Sequence, residues 1–234
     1  MKSANQFIVL VCLFVFCIET INAQVEVART EMIVDKMRLN RSIDGKDMSY
    51  GDIQGDPYIF KDFQKGILYV NSDEKAEVDI RYDIFADQMH LKDKDQIYAI
   101  IHPEKVKLIE AGSYKFIYSA YLKSPGDKEP EESSYFILRA EGKCMLLLKK
   151  NIRIQDPEPP KLYQEAKPAK FVFTSDSYFI KLESKTAVRI KNKKDLLTVL
   201  VDQSDAIDKY ITANRLDIRD LNDLEKIVVY YNGL

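Results

Sequence analysis

The chain has 234 residues, with 35 Lys and Arg against 37 Asp and Glu and a formal net charge of −2. Such a balance gives no overall field to gather a polyanion, so no nucleic-acid partner is expected. Its three cysteines are Cys12, Cys17 and Cys144, and two of them fall in an N-terminal apolar run, which excludes a disulfide framework in the rest of the chain.

Lys2, the apolar run 7–18 (FIVLVCLFVFCI) and Ile21-Asn22-Ala23 have the three parts of a secretory signal, with cleavage expected before Gln24. The run is too short to span a bilayer, and no later run approaches that length. A lipoprotein site is rejected because Cys17 follows Val15-Phe16 instead of small residues. Removal of 1–23 leaves Cys144 as the single thiol, and its place at the head of an apolar run predicts a buried small hydrophobe. Residues 24–55 read as a weakly patterned lead-in, with Met32, Ile33, Met37 and Leu39 scattered among charges. Asn40-Arg41-Ser42 there matches a glycosylation acceptor, which has meaning only in a eukaryotic host.

A β domain is expected over 56–191. Its cleanest period is in 76–85, where Val78, Ile80, Tyr82 and Ile84 alternate with Glu77, Asp79, Arg81 and Asp83, predicting one apolar and one charged, water-facing side. Similar runs at 66–70, 88–91, 96–102, 106–109 and 114–122 are separated by turn residues such as Asn71-Ser72-Asp73 and Ala111-Gly112-Ser113. Tyr114, Phe116 and Tyr118 share one face of their strand, and Ile117 and Tyr121 the other, so this strand is expected to be covered on both sides. An exposed acidic loop at 124–133 leads to 135–140, which turns at Glu141-Gly142-Lys143 into the long strand 144–154. Segment 156–170 holds Pro157, Pro159, Pro160 and Pro168 and is predicted to be an extended crossover. Short strands at 171–173, 178–182 and 186–190 complete the domain.

At Asn192 the period changes to that of a helix. Asn192 and Asp195 resemble a capping box ahead of Leu196, Leu197, Leu200 and Val201. A second helix is predicted at about 204–213, carrying Ile207, Tyr210 and Ile211, and a third from about Asp220, carrying Leu221, Leu224, Val228 and Tyr231. These form a C-terminal helical unit over 192–234. The fold expected is thus mainly β: an antiparallel meander curled into a partly closed barrel or sandwich, then three helices.

Little in the chain points to chemistry. His90 and His102 are not in metal-ligand spacing, and Ser72 and Lys75 match S-x-x-K inside a polar turn, not on the helix that chemistry needs. There is no nucleophile elbow, phosphate-binding glycine loop or calcium loop, and no cofactor is expected. Charge is unevenly spread: 142–194 carries thirteen basic residues against five acidic, and the tail from Asp195 carries four against eight. Either the two attract each other within the fold, or Lys149, Lys150, Arg153, Lys181, Arg189 and Lys191 present a face to an anionic partner.

Arg81-Tyr82-Asp83-Ile84-Phe85, Asp87-Gln88-Met89, the hairpin from Tyr135-Phe136-Ile137-Leu138 through Gly142-Lys143 to Leu146-Leu147-Leu148-Lys149-Lys150, Lys193-Lys194-Asp195-Leu196-Leu197 and the closing Val229-Tyr230-Tyr231-Asn232 resemble a group of exported, signal-peptide-bearing proteins of Bacteroidota with no established activity. The resemblance runs from about Tyr58 to the end and implies a Gram-negative periplasm or cell envelope, where the glycosylation acceptor has no role. The function expected is a non-catalytic exported protein that binds an envelope protein or anionic glycan. A hydrolase with a site of scattered carboxylates is the alternative, and a deep pocket with convergent polar groups would favour it.

Overall fold

The structure is a computed structural model that describes residues 34–36, as backbone, and residues 50–70, 74–130, 132–160, 165–183 and 185–234. The secretory signal, the Asn40 acceptor and Ser72 lie outside the described residues. Eleven strands precede three helices: β1 Val34–Lys36, β2 Gln64–Tyr69, β3 Lys75–Asp83, β4 Gln88–Asp93, β5 Gln96–Ile100, β6 Leu108–Ala111, β7 Tyr114–Leu122, β8 Glu132–Ala140, β9 Cys144–Gln155, β10 Lys170–Leu182 and β11 Ala187–Ile190, then α1 Lys193–Val199, α2 Ser204–Asn214 and α3 Leu221–Asn232.

The expected antiparallel meander is present, and it closes in part. One wing of the sheet runs β1-β5-β4-β3-β2-β6-β7. From β7 the chain continues through β8, β9, β10 and β11, and β11 returns to β7 through the parallel pairs Ala187 with Tyr121 and Val188 with Leu122. These five strands form a ring, while β1 to β6 stay an open wing. A partial ring, not a barrel, is the result. The handover happens on one edge of β7, where Tyr114 to Phe116 pair with β6 and Tyr121 and Leu122 with β11, while the other edge pairs with β8.

Alternation explains which face each strand buries. On β7, Phe116 turns to a core under the wing with Leu68, Ile80, Tyr82, Met89, Leu91 and Ile109, and Tyr121 turns into the ring. Inside the ring Tyr121, Phe136 and Phe179 meet edge to face, with centroids 5.8, 5.1 and 4.8 Å apart, alongside Leu147 and Ala187. Aromatic packing of this kind fills the bore. The outer face of β9 and β10 carries Cys144, Leu146 and Ile180, which the helices cover with Leu196, Leu200, Ile207, Leu224, Ile227 and Val228. Cys144 is fully buried, and burial pushes its thiol up to about 12. The helix caps follow the sequence: Asp195 N–H donates to Asn192 Oδ1 at 3.0 Å, and Asp223 N–H to Asp220 Oδ1 at 3.0 Å.

Five expectations need correction. After β5 the chain passes through a short turn, Pro103–Lys105, and β6 lies beside β2, so the meander is broken by one long return. The proline-rich segment is no crossover, because β9 and β10 are antiparallel neighbours and it forms the far end of their hairpin, bridged at Glu158 and Lys167. The runs 171–173 and 178–182 are one strand, β10, which keeps its pairing with β9 across a bulge between Thr174 and Ser177. Asp83 faces no water: it is buried where the turn after β3 folds back, accepting from Tyr50 Oη at 2.9 Å and from Ala86 N–H at 2.9 Å. Val201 is 73% exposed, since α1 stops at Val199 and the tight turn Val201–Gln203 rotates it off the apolar stripe.

Candidate binding site at the polar end of the ring

The inner face of the ring turns from apolar to polar within two residues. On β9 it reads Leu147, Lys149, Asn151, Arg153, every second residue of the strand, and the polar part leaves the aromatic plug toward the proline-rich hairpin end. Lys149 Nζ donates to Ser134 Oγ of β8 at 2.6 Å, lies 5.4 Å from the Tyr121 ring centroid and is 3.7 Å from Asp87 Oδ2. Asp87 is fixed in the left-handed region (φ 49°), accepting at Oδ1 from Tyr82 Oη at 2.6 Å and Tyr135 N–H at 3.3 Å. On β10, Ser177 Oγ accepts from Asn151 Nδ2 at 3.0 Å and from Arg189 of β11 at 3.0 Å. Four strands, β8 to β11, therefore aim hydroxyls and cations at one place.

The six basic residues expected to form a face divide accordingly. Lys149, Arg153, Lys181, Arg189 and Lys191 have the parity of the inner face, but Lys181 sits beyond the plug at the other end, where its ammonium donates to Lys185 O and burial holds it below its ordinary pKa. Lys191 Nζ reaches Ser124 Oγ at 3.3 Å. Lys150 is on the opposite face of β9, paired with Asp176 at 2.7 Å. The Arg153 and Arg189 guanidinium groups and the Lys191 ammonium have no carboxylate partner among the described residues, although Lys191 N–H donates to Asp195 Oδ2 at 3.0 Å, and Lys193 is paired with Asp208 of α2, so basic stretch and acidic tail do meet within the fold there. The sequence missed Ser134, Ser177, Asn151 and Asp87. Asn151 carries the period-two signal of Lys149 and Arg153, but Ser177 lies in a Thr-Ser-Asp-Ser run that imitates a turn.

Elsewhere, a groove of 670 Å³ runs along the helical unit past Val201, Asp202, Ser204, Asp205, Tyr210 and Tyr230, the two tyrosines stacked at 4.0 Å. Its Asp202 is engaged by Tyr231 Oη at 2.9 Å. Among the described residues no group of three or more His, Cys, Asp or Glu is placed to hold a metal, and no helix is long and apolar enough to cross a membrane. Compared with family models, curated proteins and solved structures, the chain shows no match.

Proposed function

We propose that this chain is a non-catalytic exported protein of the cell envelope that holds an anionic partner at the polar end of its ring. One observation carries the reading: Arg189 is half-buried and its guanidinium donates to the Ser177 hydroxyl, with no carboxylate partner among the described residues. Half-burying a charge is costly unless something neutralises it, and a guanidinium held in position is a ready donor to a carboxylate, sulfate or phosphate oxygen. Lys149 and Arg153 on β9 extend the same positive surface. The filled bore also favours binding over hydrolysis, since it offers no chamber in which acid and base groups converge.

The test uses fluorescent polyglutamate and a chondroitin sulfate fragment, with neutral dextran as control. Binding is expected to weaken as salt rises, because exposed charges are screened beyond about 8 Å at physiological ionic strength. Replacing Lys149, Arg153 and Arg189 together by Gln should abolish it while leaving the melting temperature within a few degrees. Salt-insensitive binding would dispose of the cationic site, and turnover of a glycan, ester or peptide that a single carboxylate substitution removes would overturn the non-enzymatic reading.

A further inference from the structure

Strand β10 has one edge that no other described residue completes. Along its first half, β9 pairs with Lys170, Phe171, Val172, Phe173 and Thr174 on one side. On the other side β11 reaches only as far as Ile190 opposite Tyr178, and Gln54 bridges only Lys170. Between these two neighbours lie residues 171–177, an open slot of roughly 20 Å at a strand's rise of about 3.3 Å per residue. The direction of the free groups follows from the Gln54 bridge. Gln54 N–H donates to Ala169 O at 2.8 Å and Phe171 N–H donates to Gln54 O at 2.9 Å, so odd-numbered residues before the bulge turn their peptide groups toward the slot. Phe173 N–H and C=O thus face outward, without a backbone partner among the described residues.

Natural edges are blunted by proline, by charged side chains or by bulges. The stretch 171–174 reads Phe-Val-Phe-Thr, without proline or charge, and the slot is blunted only toward its far end, by the bulge after Thr174 and by Asp176, whose carboxylate is paired with Lys150. Phe173 itself is 53% exposed on the face it shares with Ile152. Around the slot stand cationic groups with no ion-pair partner among the described residues: Lys170 at one end, Arg153 across the ladder beside Val172, and the Arg189 guanidinium and Lys191 ammonium at the other end. An added strand would find apolar contact on the Phe173 face and positive charge on the other.

We propose that the slot beside residues 171–177 takes an extended acidic peptide segment of a partner protein, which adds as a strand to β10 with apolar residues alternating with Asp or Glu. This rests on the anion-binding reading above and narrows its partner to a polypeptide. Backbone bonds at Phe173 would supply affinity that is blind to sequence, while the alternating faces would select the peptide.

The experiment measures anisotropy of a labelled, capped (Glu-Val)4 peptide against (Lys-Val)4, against a (Glu-Val)4 whose valines are N-methylated, and against the chondroitin sulfate fragment. The (Glu-Val)4 peptide should bind, and the other two peptides should not. Phe173→Pro removes the outward N–H together with the exposed ring, and is expected to weaken the peptide about tenfold or more while sparing the sulfated fragment. Should that variant unfold, exchange of the Phe173 amide in the native protein serves instead: added (Glu-Val)4 should slow it, and the sulfated fragment should not. Equal binding of the N-methylated peptide, or an amide that stays unprotected, overturns the strand addition. If the sulfated fragment binds and loses affinity in the Gln variants while the peptide does not bind, the strand proposal falls and the cationic site stands. If neither anion binds, both fall. A dimer in light scattering that Phe173→Pro returns to a monomer would give the slot to a second copy of the chain and refute the acidic partner.

Discussion

His90 is 1% exposed, opposite Arg81 on the neighbouring strand and 5.8 Å from the Tyr58 ring, and neither of its ring nitrogens has a hydrogen-bond partner among the described residues. Burial, and after it the nearby Arg81 charge, lowers its pKa from 6.5 to about 4. A histidine depressed in this way binds fewer protons folded than unfolded, so its contribution is intact above the unfolded value and is lost as pH falls through 6.5 toward 4. Between pH 7.5 and 5 the loss should reach roughly 2 kcal/mol. Melting curves of the protein and of His90→Phe should diverge over that window, with the variant the flatter of the two; parallel curves would mean that His90 gains its proton without cost. Asp83, whose carboxyl burial pushes up, is present in both proteins and cancels in the comparison. Residues of this kind mark where a sequence stops being readable. Cys144 was legible as a small buried hydrophobe because Leu146 and Leu148 continue its face of the strand, whereas Asp83 shares its parity with Glu77 and Asp79 and is buried only because the turn after β3 and Tyr50 close over it.

Among the elements, β7 was readable to its ends, since two apolar faces and flanking turn residues leave no other register for Tyr114–Leu122. β10 was not, because the polar residues of its bulge break the period that defines a strand. The joint between the hairpin and α3 was also hidden. Asn232, the last residue of α3, donates from Nδ2 to Glu141 O at 3.1 Å and to Cys144 O at 2.9 Å, and accepts from Cys144 N–H at 2.8 Å. It fits there because position 142 is glycine: φ is +141°, and a Cβ would lie 2.5 Å from the Asn232 amide. Asn232→Ala should cost about 2 kcal/mol or more, given that each bond contributes about 1 and the Cys144 N–H is left without its acceptor. Gly142→Ala should destabilise as well, through both strain and collision. Thermal unfolding of the two variants checks this, and a melting temperature equal to that of the unaltered chain in either would show that the helix end does not hold the turn.

At the scale of the molecule the organising strand is β9. Its inner face supplies Leu147 to the ring, and its outer face runs from Cys144 and Leu146 under the helices, through Leu148 under the wing, to Ile152 and Ile154 beside Ile53 and Phe171. The sequence shows a long apolar run there but not what covers each end, because the return of β6 to β2 and the docking of the helices are long-range choices. One consequence is that the helical unit is no appendage. Removing residues 192–234 would uncover Cys144, Leu146, Ile180 and Ile190, all buried against it, and would break the pair of Arg139 with Glu225 at 2.7 Å. Each of the three large apolar side chains so exposed forfeits about 1.5 to 3 kcal/mol, and together they take much of the 5 to 15 kcal/mol that holds a typical domain folded. Leu224→Ala, a milder form of the same lesion, should cost roughly 2 to 5 kcal/mol. The intact chain should therefore melt in one transition, with the helical signal and the tyrosine signal of the sheet superimposing, Leu224→Ala should lower both together, and a chain ending at Lys191 should aggregate or stay unfolded. Two separated transitions, or a truncated chain with a native sheet spectrum, would show that sheet and helices fold independently.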